Sequence, residues 1–191
     1  MRKAGIIMLM SLLLFAAACG KEIPDAKNWP VASFTFTDQN NQPFGLNDLK
    51  GKVWVANFIF TRCADVCPPM TANMAKLQRM AEKEGLQVEF VSFSVDPEND
   101  HPEQLKAYIE KFHADTRHWH LLTGYTQQDI EAFAQKNFKA VVQKPAGQSQ
   151  VIHGTDFYLV DQNGKIVQYY NGINDVPYKQ ILEHIKILQS S

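Results

Sequence analysis

The segment Val53–Phe60, VWVANFIF, is apolar at all positions but Asn57 and rich in β-forming side chains. A run this continuous has no polar face to give to water, so it has to be a strand buried on both sides. It leads straight into FTRCADVCPP, where Cys63 and Cys67 stand three residues apart and Pro68 and Pro69 follow. Proline is tolerated in the first turn of a helix, so the pair opens one. Met70, Met74, Leu77 and Met80 or Ala81 recur at helical spacing after it, and Gly85 ends it. A buried strand, a cysteine loop and an amphipathic helix are therefore fixed in that order.

The remaining elements fall around this unit. SFTFTD, QNNQ and PFGL read as a strand, a turn and a return strand, and NDLKGK as a helical turn closed by Gly51. LQVEFVSFSVD is a second central strand, HPEQLKAYIEKF a helix, and HWHLLTG a short extended piece. TQQDIEAFAQKNF is a helix capped by Thr126. TDFYLVD, QNG and KIVQYYNG form a hairpin turning at Asn163-Gly164, and VPYKQILEHIKILQ is a last amphipathic helix. Strands alternating with helices and ending in a hairpin and a helix give an α/β chain in the thioredoxin order, with an added N-terminal hairpin. A mixed sheet with helices on both faces is expected. Its site lies at the carboxyl ends of the central strands, where the cysteine loop emerges.

The chain has 191 residues, 45% hydrophobic and 20% charged, enough for one domain with a real core. A net charge of -1 offers nothing to a nucleic acid backbone. The first residues read as a targeting segment. A basic Met1-Arg2-Lys3 precedes AGIIMLMSLLLFAAA, shorter than the roughly 20 residues a spanning helix needs. The run ends in small residues and Cys19, which resembles a bacterial lipobox, with Ala16 where leucine is usual. We therefore expect residues 1–18 to be a lipoprotein signal peptide and Cys19 to be acylated. Residues 19–30 would be a polar tether and 31–191 the thioredoxin-like domain. The expected location is the cell membrane, lipid-anchored and facing the extracytoplasmic side, where Cys63 and Cys67 can rest as a disulfide.

A thiol near a helix N-terminus sees the positive end of the dipole, which favours thiolate. A purely structural bridge across so small a loop would add little, because the entropy it removes grows with loop length. Redox and metal chemistry both remain open. Thioredoxin-type reductases space their cysteines by two residues, not three. They also carry a proline before the strand facing the cysteines, where this chain has His153. In this fold His153 would face Cys63 and Cys67, bringing two thiolates and an imidazole together at the surface. Soft sulfur suits Cu(I), imidazole assists with Cu(II), and three ligands fall short of the four of a structural zinc site.

FTRCADVCP, SVDPEND, HWHLLTG and HGTDFYLVDQNGK together resemble the Sco (SenC) family of copper proteins, which assemble the binuclear copper centre of cytochrome c oxidase. The similarity runs from about Val31 to the C-terminus; Ala64 departs from a common proline without removing a ligand. The resemblance implies copper, Cu(I) or Cu(II), held by Cys63, Cys67 and His153. It gives Asp96 a role beside the site or on a docking face, and cytochrome c oxidase subunit II as the partner. The reading favours a binding protein over an enzyme, and a monomer is expected although the sequence leaves the oligomeric state open. The alternative is a thiol–disulfide oxidoreductase in which Cys63 and Cys67 are the redox-active pair.

Other residues carry weaker signals. His113, His118 and His120 lie close together, with His118 and His120 on one strand face, but a structural strand accounts for them. Asp65 is expected to be solvated, and His101 and His184 to lie on the surface. A peroxidase lacks its upstream proline and its threonine-to-cysteine offset here.

Overall fold

In a computed structural model of the chain, residues 22–190 are the ones described. The two apolar runs become β4 (Val53–Ile59) and β5 (Val88–Ser94), each buried at every position. They pair in parallel from Val53 with Val88 to Ile59 with Ser94. A third parallel strand, β6 (Trp119–Thr123), adds on the far side of β5. The connections are α1 (Cys67–Lys83) and α2 (Pro102–Glu110), both with proline in the first turn. Both crossovers step the same way across the sheet, so right-handed connections put both helices on one face. There Thr71 meets the phenol of Tyr108 at 2.8 Å. The last helix, α4 (Tyr178–Gln189), lies against α1 through Tyr178 to Asn73 at 2.9 Å and a Lys186–Glu84 ion pair at 2.5 Å.

Two hairpins complete the sheet. β2 (Thr35–Asp38) and β3 (Pro43–Gly45) attach to β6, and β9 (Asp156–Val160) and β10 (Lys165–Asn171) attach to β4. With β1 (Trp29–Pro30) outermost, the strand order is β1-β10-β9-β4-β5-β6-β2-β3. The opposite face is covered by α3 (Gln127–Phe133), whose N-terminus Thr126 caps by accepting from the Asp129 N–H. Helix α3 runs on into a π turn, Ala134–Phe138, that ends at Lys139 in the left-handed region. Phe133 and Phe138 pack there on Phe93, with ring centroids at 5.2 and 5.6 Å, and Phe34, Phe36 and Phe58 close the cluster.

Three features differ from the sequence reading. The described part of the expected tether packs on the domain: Ile23 is buried, the Lys27 N–H donates to Val167 O, and Trp29–Pro30 pair with Lys165–Ile166. Trp29 stacks on Tyr169, and this apolar contact outweighs the polar residues around it. His184 is buried, not exposed. It lies on the apolar face of α4 with Ile181 and Ile185, and its Nδ1 is 2.7 Å from the Tyr170 oxygen. A small ribbon absent from the sequence reading, β7 (Val142–Gln143) with β8 (Ile152–His153), stands apart from the main sheet. Two-residue strands are too short for a periodic pattern to reveal.

Truncating Phe93, which is fully buried at the centre of the aromatic cluster, leaves a cavity its neighbours cannot close. Phe93→Ala is expected to lower unfolding free energy by about 3–5 kcal/mol. Val141→Ala, at an exposed position, is expected to change it by less than about 0.5 kcal/mol; urea denaturation measures both.

Candidate metal centre

Strand β4 delivers the chain to the cysteine loop, and a turn brings the Cys63 N–H to Phe60 O at 3.3 Å. Cys67 is the first residue of α1 and Val66 precedes it as the cap. The bend at residues 64–66 folds the loop back, so the Cys67 N–H donates to Cys63 Sγ at 3.3 Å. Neither Cys63 nor Cys67 is in a disulfide. The third group comes from the small ribbon, where β8 places the His153 Nε2 3.2 Å from Cys67 Sγ. One ligand atom from each of Cys63, Cys67 and His153 lies within 4.8 Å of the others; among the described residues no further group of three or more His, Cys, Asp or Glu does so.

The imidazole is held in one orientation. Its Nδ1 lies 2.8 Å from Gly154 O. A carbonyl oxygen can only accept, so the proton sits on Nδ1 and the Nε2 lone pair faces the sulfurs. Phe60 meets the ring edge-on at a centroid distance of 5.7 Å. A neutral imidazole with its lone pair aimed at two sulfurs is a donor set that a soft or borderline metal ion can use.

The two thiols are unequal. The hydrogen bond from the Cys67 side chain holds Cys63 down at about 3 against the opposing effect of burial, with backbone N–H groups assisting. Cys67 is pushed well above its ordinary value, first by that same hydrogen bond to Cys63 and then by burial. Cys63 is the thiolate and Cys67 the thiol that donates to it. The helix-dipole expectation fails for Cys67, the first residue of α1, and the lowering of Cys63, four residues earlier, comes first from the Cys67 side chain. The group is also less exposed than expected: Cys67 is fully buried and Cys63 8% exposed, because the first turn of α1 faces the sheet.

The other candidates sort cleanly. Asp96 is fully buried, and its carboxylate accepts from Asn99 Nδ2 and from Lys144 Nζ at 2.7 Å. Asp65 is exposed and touches the site through its backbone, which hydrogen-bonds Cys63. His118 Nδ1 and His120 Nε2 flank Glu89 at 3.3 and 3.6 Å, away from the cysteines, and Phe44 stacks on His120 at 3.7 Å. His113 and His101 are exposed. Cys19 lies outside the described residues. The sequence reading missed Asp100, which is fully buried and accepts from the Thr61 hydroxyl and the Ser94 hydroxyl, each at 2.6 Å. Burial pushes its carboxyl upward while those bonds pull it back. A second aspartate four residues after Asp96 was the available signal.

A thioredoxin-like domain with a cysteine pair and a histidine meeting at the ends of its central strands belongs to the metal-handling and redox-active thiol proteins. The particular family is defined by comparison: the SCO1/SenC profile matches residues 24–189, and this chain belongs to that family. A SCO1/SenC family lipoprotein from Bacillus anthracis shares 56% identity and superposes with a TM-score of 0.86 over 88% of this chain and 99% of that one. BsSco, described through a disulfide switch and as a member of the Sco family of cytochrome c oxidase assembly proteins, shares 46% identity. Its TM-score is 0.83 over 89% of this chain and 99% of its own. Copper-bound ScoI from Bradyrhizobium japonicum shares 26% identity at a TM-score of 0.69, over 83% and 99%.

Because the folded Cys63 is depressed, it stays thiolate as pH falls until its own low midpoint is crossed. An ordinary thiol loses about tenfold in alkylation rate per pH unit below its pKa of about 8.5. Site-resolved iodoacetamide labelling is therefore expected to show Cys63 reacting at nearly constant rate from pH 8 to pH 5. Cys67→Ala removes the main cause, so the midpoint should rise toward that of an ordinary thiol. An unmoved midpoint in this variant would contradict the assigned hydrogen bond.

Proposed function

We propose that this protein is a copper metallochaperone for the binuclear copper centre of cytochrome c oxidase, taking copper through the Cys63 and Cys67 sulfurs and the His153 imidazole. The observation that carries this reading is the convergence of those three groups, with the imidazole lone pair turned toward the sulfurs. The copper-bound ScoI relative and the oxidase-assembly description of BsSco support it. Copper is cargo here, and a site with only three protein ligands leaves a position through which an acceptor can displace them. The acceptor is subunit II of the oxidase. The chain is held at the extracytoplasmic face of the cell membrane by acylation of Cys19, a reading supported by the lipoprotein relative from Bacillus anthracis.

Loading is coupled to the state of the sulfurs. Metal binding to Cys67 has to displace its proton, so uptake releases a proton and strengthens as pH rises. His153 is already in the tautomer that needs no proton removed from Nε2. Joining Cys63 and Cys67 in a disulfide withdraws two electrons from the sulfurs and removes both thiolate ligands, which would release the copper.

A second reading has its own support. A thiolate beside a thiol with a raised pKa is the arrangement of a thiol–disulfide oxidoreductase, with Cys63 attacking a partner disulfide and Cys67 resolving it. This activity would reduce the subunit II cysteines before metallation, and it needs no imidazole ligand.

The two separate on His153. The reduced full chain in detergent is expected to take up one Cu(II) with a sulfur-to-copper absorption band. His153→Ala should weaken binding by more than roughly 100-fold and move the band, beyond what loss of a supporting group costs. An unchanged band and affinity in His153→Ala would remove the three-ligand site. Disulfide reductase turnover that survives this change, in a chain that never binds copper, would establish the oxidoreductase instead.

A further inference from the structure

The two arms of the site come from distant parts of the chain, and one short segment touches both. The cysteine arm begins at Thr61, two residues before Cys63. Its N–H and hydroxyl both donate to the Asp100 carboxylate, the hydroxyl at 2.6 Å. The histidine arm is the β7–β8 ribbon, in which Val142 pairs with His153. Lys144 directly follows β7, and its ammonium lies 2.7 Å from Asp96 and 2.8 Å from Glu98. Its backbone N–H donates to Glu131 of α3 at 2.9 Å.

Asp96 and Asp100 are themselves joined. The Ser94 hydroxyl donates to Asp100 at 2.6 Å and accepts from the Asp96 N–H at 3.1 Å. The Asp100 N–H donates to Asp96 O at 2.9 Å. Both carboxylates are fully buried, and the Lys144 side chain is only 16% exposed. Charge-assisted bonds at buried groups are stronger and more directional than surface ion pairs. The ribbon has just two cross-strand pairs of its own, so its position depends on such outside attachments.

We infer that segment Ser94–Asp100 acts as a shared anchor that sets the distance between the thiol pair and His153, with Lys144 and Thr61 as the positioning residues that attach the two arms. Neither touches the sulfurs or the imidazole. The inference rests on the copper reading above for its consequence, but not for its geometry. With Lys144 released, β7 loosens from the anchor and takes β8 and His153 with it, while the cysteine arm stays fixed. With the Thr61 hydroxyl removed, the cysteine arm loosens and the ribbon stays.

The test uses the full chain in detergent and two readouts. Amide hydrogen exchange without metal is expected to quicken at Val142, Gln143, Ile152 and His153 in Lys144→Met, and at Thr61–Cys63 in Thr61→Val, each leaving the other arm unchanged. Cu(II) affinity should fall about tenfold in each, with a shifted sulfur-to-copper band in Lys144→Met, and Lys144→Arg should restore both. Lys144→Met also strands the Asp96 charge, a purely structural cost. The paired Asp96→Asn, Lys144→Met variant removes that cost, so stability should recover while fast ribbon exchange and weak copper binding persist. Copper binding that recovers along with stability in the paired variant, or exchange that rises equally in both arms of either single variant, overturns the anchor. A wild-type chain that takes up no Cu(II) counts against the proposed function, and the exchange pattern then decides the anchor by itself.

Discussion

The parallel register of β4 and β5 pairs Ile59 with Ser94, so the two central strands end at the same height. Everything at the site follows from that alignment. The loop carrying Cys63 and the loop carrying Asp96 and Asp100 emerge side by side, which lets Thr61 reach Asp100 and lets Asp100 lie within electrostatic range of Cys67. A slip of one residue would turn every side chain of the strand to the other face. Neither strand can slip, because both are buried throughout and carry opposed aromatic faces, with Phe58 level with Phe93.

Burial and chemistry are in balance at the cysteine pair. One negative charge is tolerated there because Cys63 receives hydrogen bonds from the Cys67 side chain and from the backbone. A second charge is suppressed, since Cys67 sits deeper and next to the first. The free protein therefore stores one thiolate and one proton. On the proposed copper reading, a cation arriving between the sulfurs would replace that proton and take over its role of holding the two groups together.

Much of this was legible in the sequence, for reasons that differ by residue. The central strands announced themselves because burial on both faces leaves no choice of side chain. The helices did so through their apolar spacing and their prolines. His153 was found by combining fold order with the absence of a proline, since nothing local marks it. What stayed hidden depends on contacts between distant segments. The β7–β8 ribbon is too short for a pattern, and the attachment of Lys144 to Asp96 joins residues far apart in the chain. His184 looked like any polar residue on an amphipathic helix until Tyr170 supplied its partner. Trp29 pairs with Ile166 at the sheet margin and stacks on Tyr169, partners that no local pattern marks.

Both margins of the eight-stranded sheet are finished in the same way. At one the outermost strand is Trp29–Pro30, at the other Pro43–Gly45. Each is two or three residues long and contains a proline, which brings no N–H to the rim. At each outermost strand an incoming chain finds a ladder of only two or three residues to extend. The apolar centre of the sheet is thereby set several strands back from either margin, which limits edge-to-edge pairing with another copy.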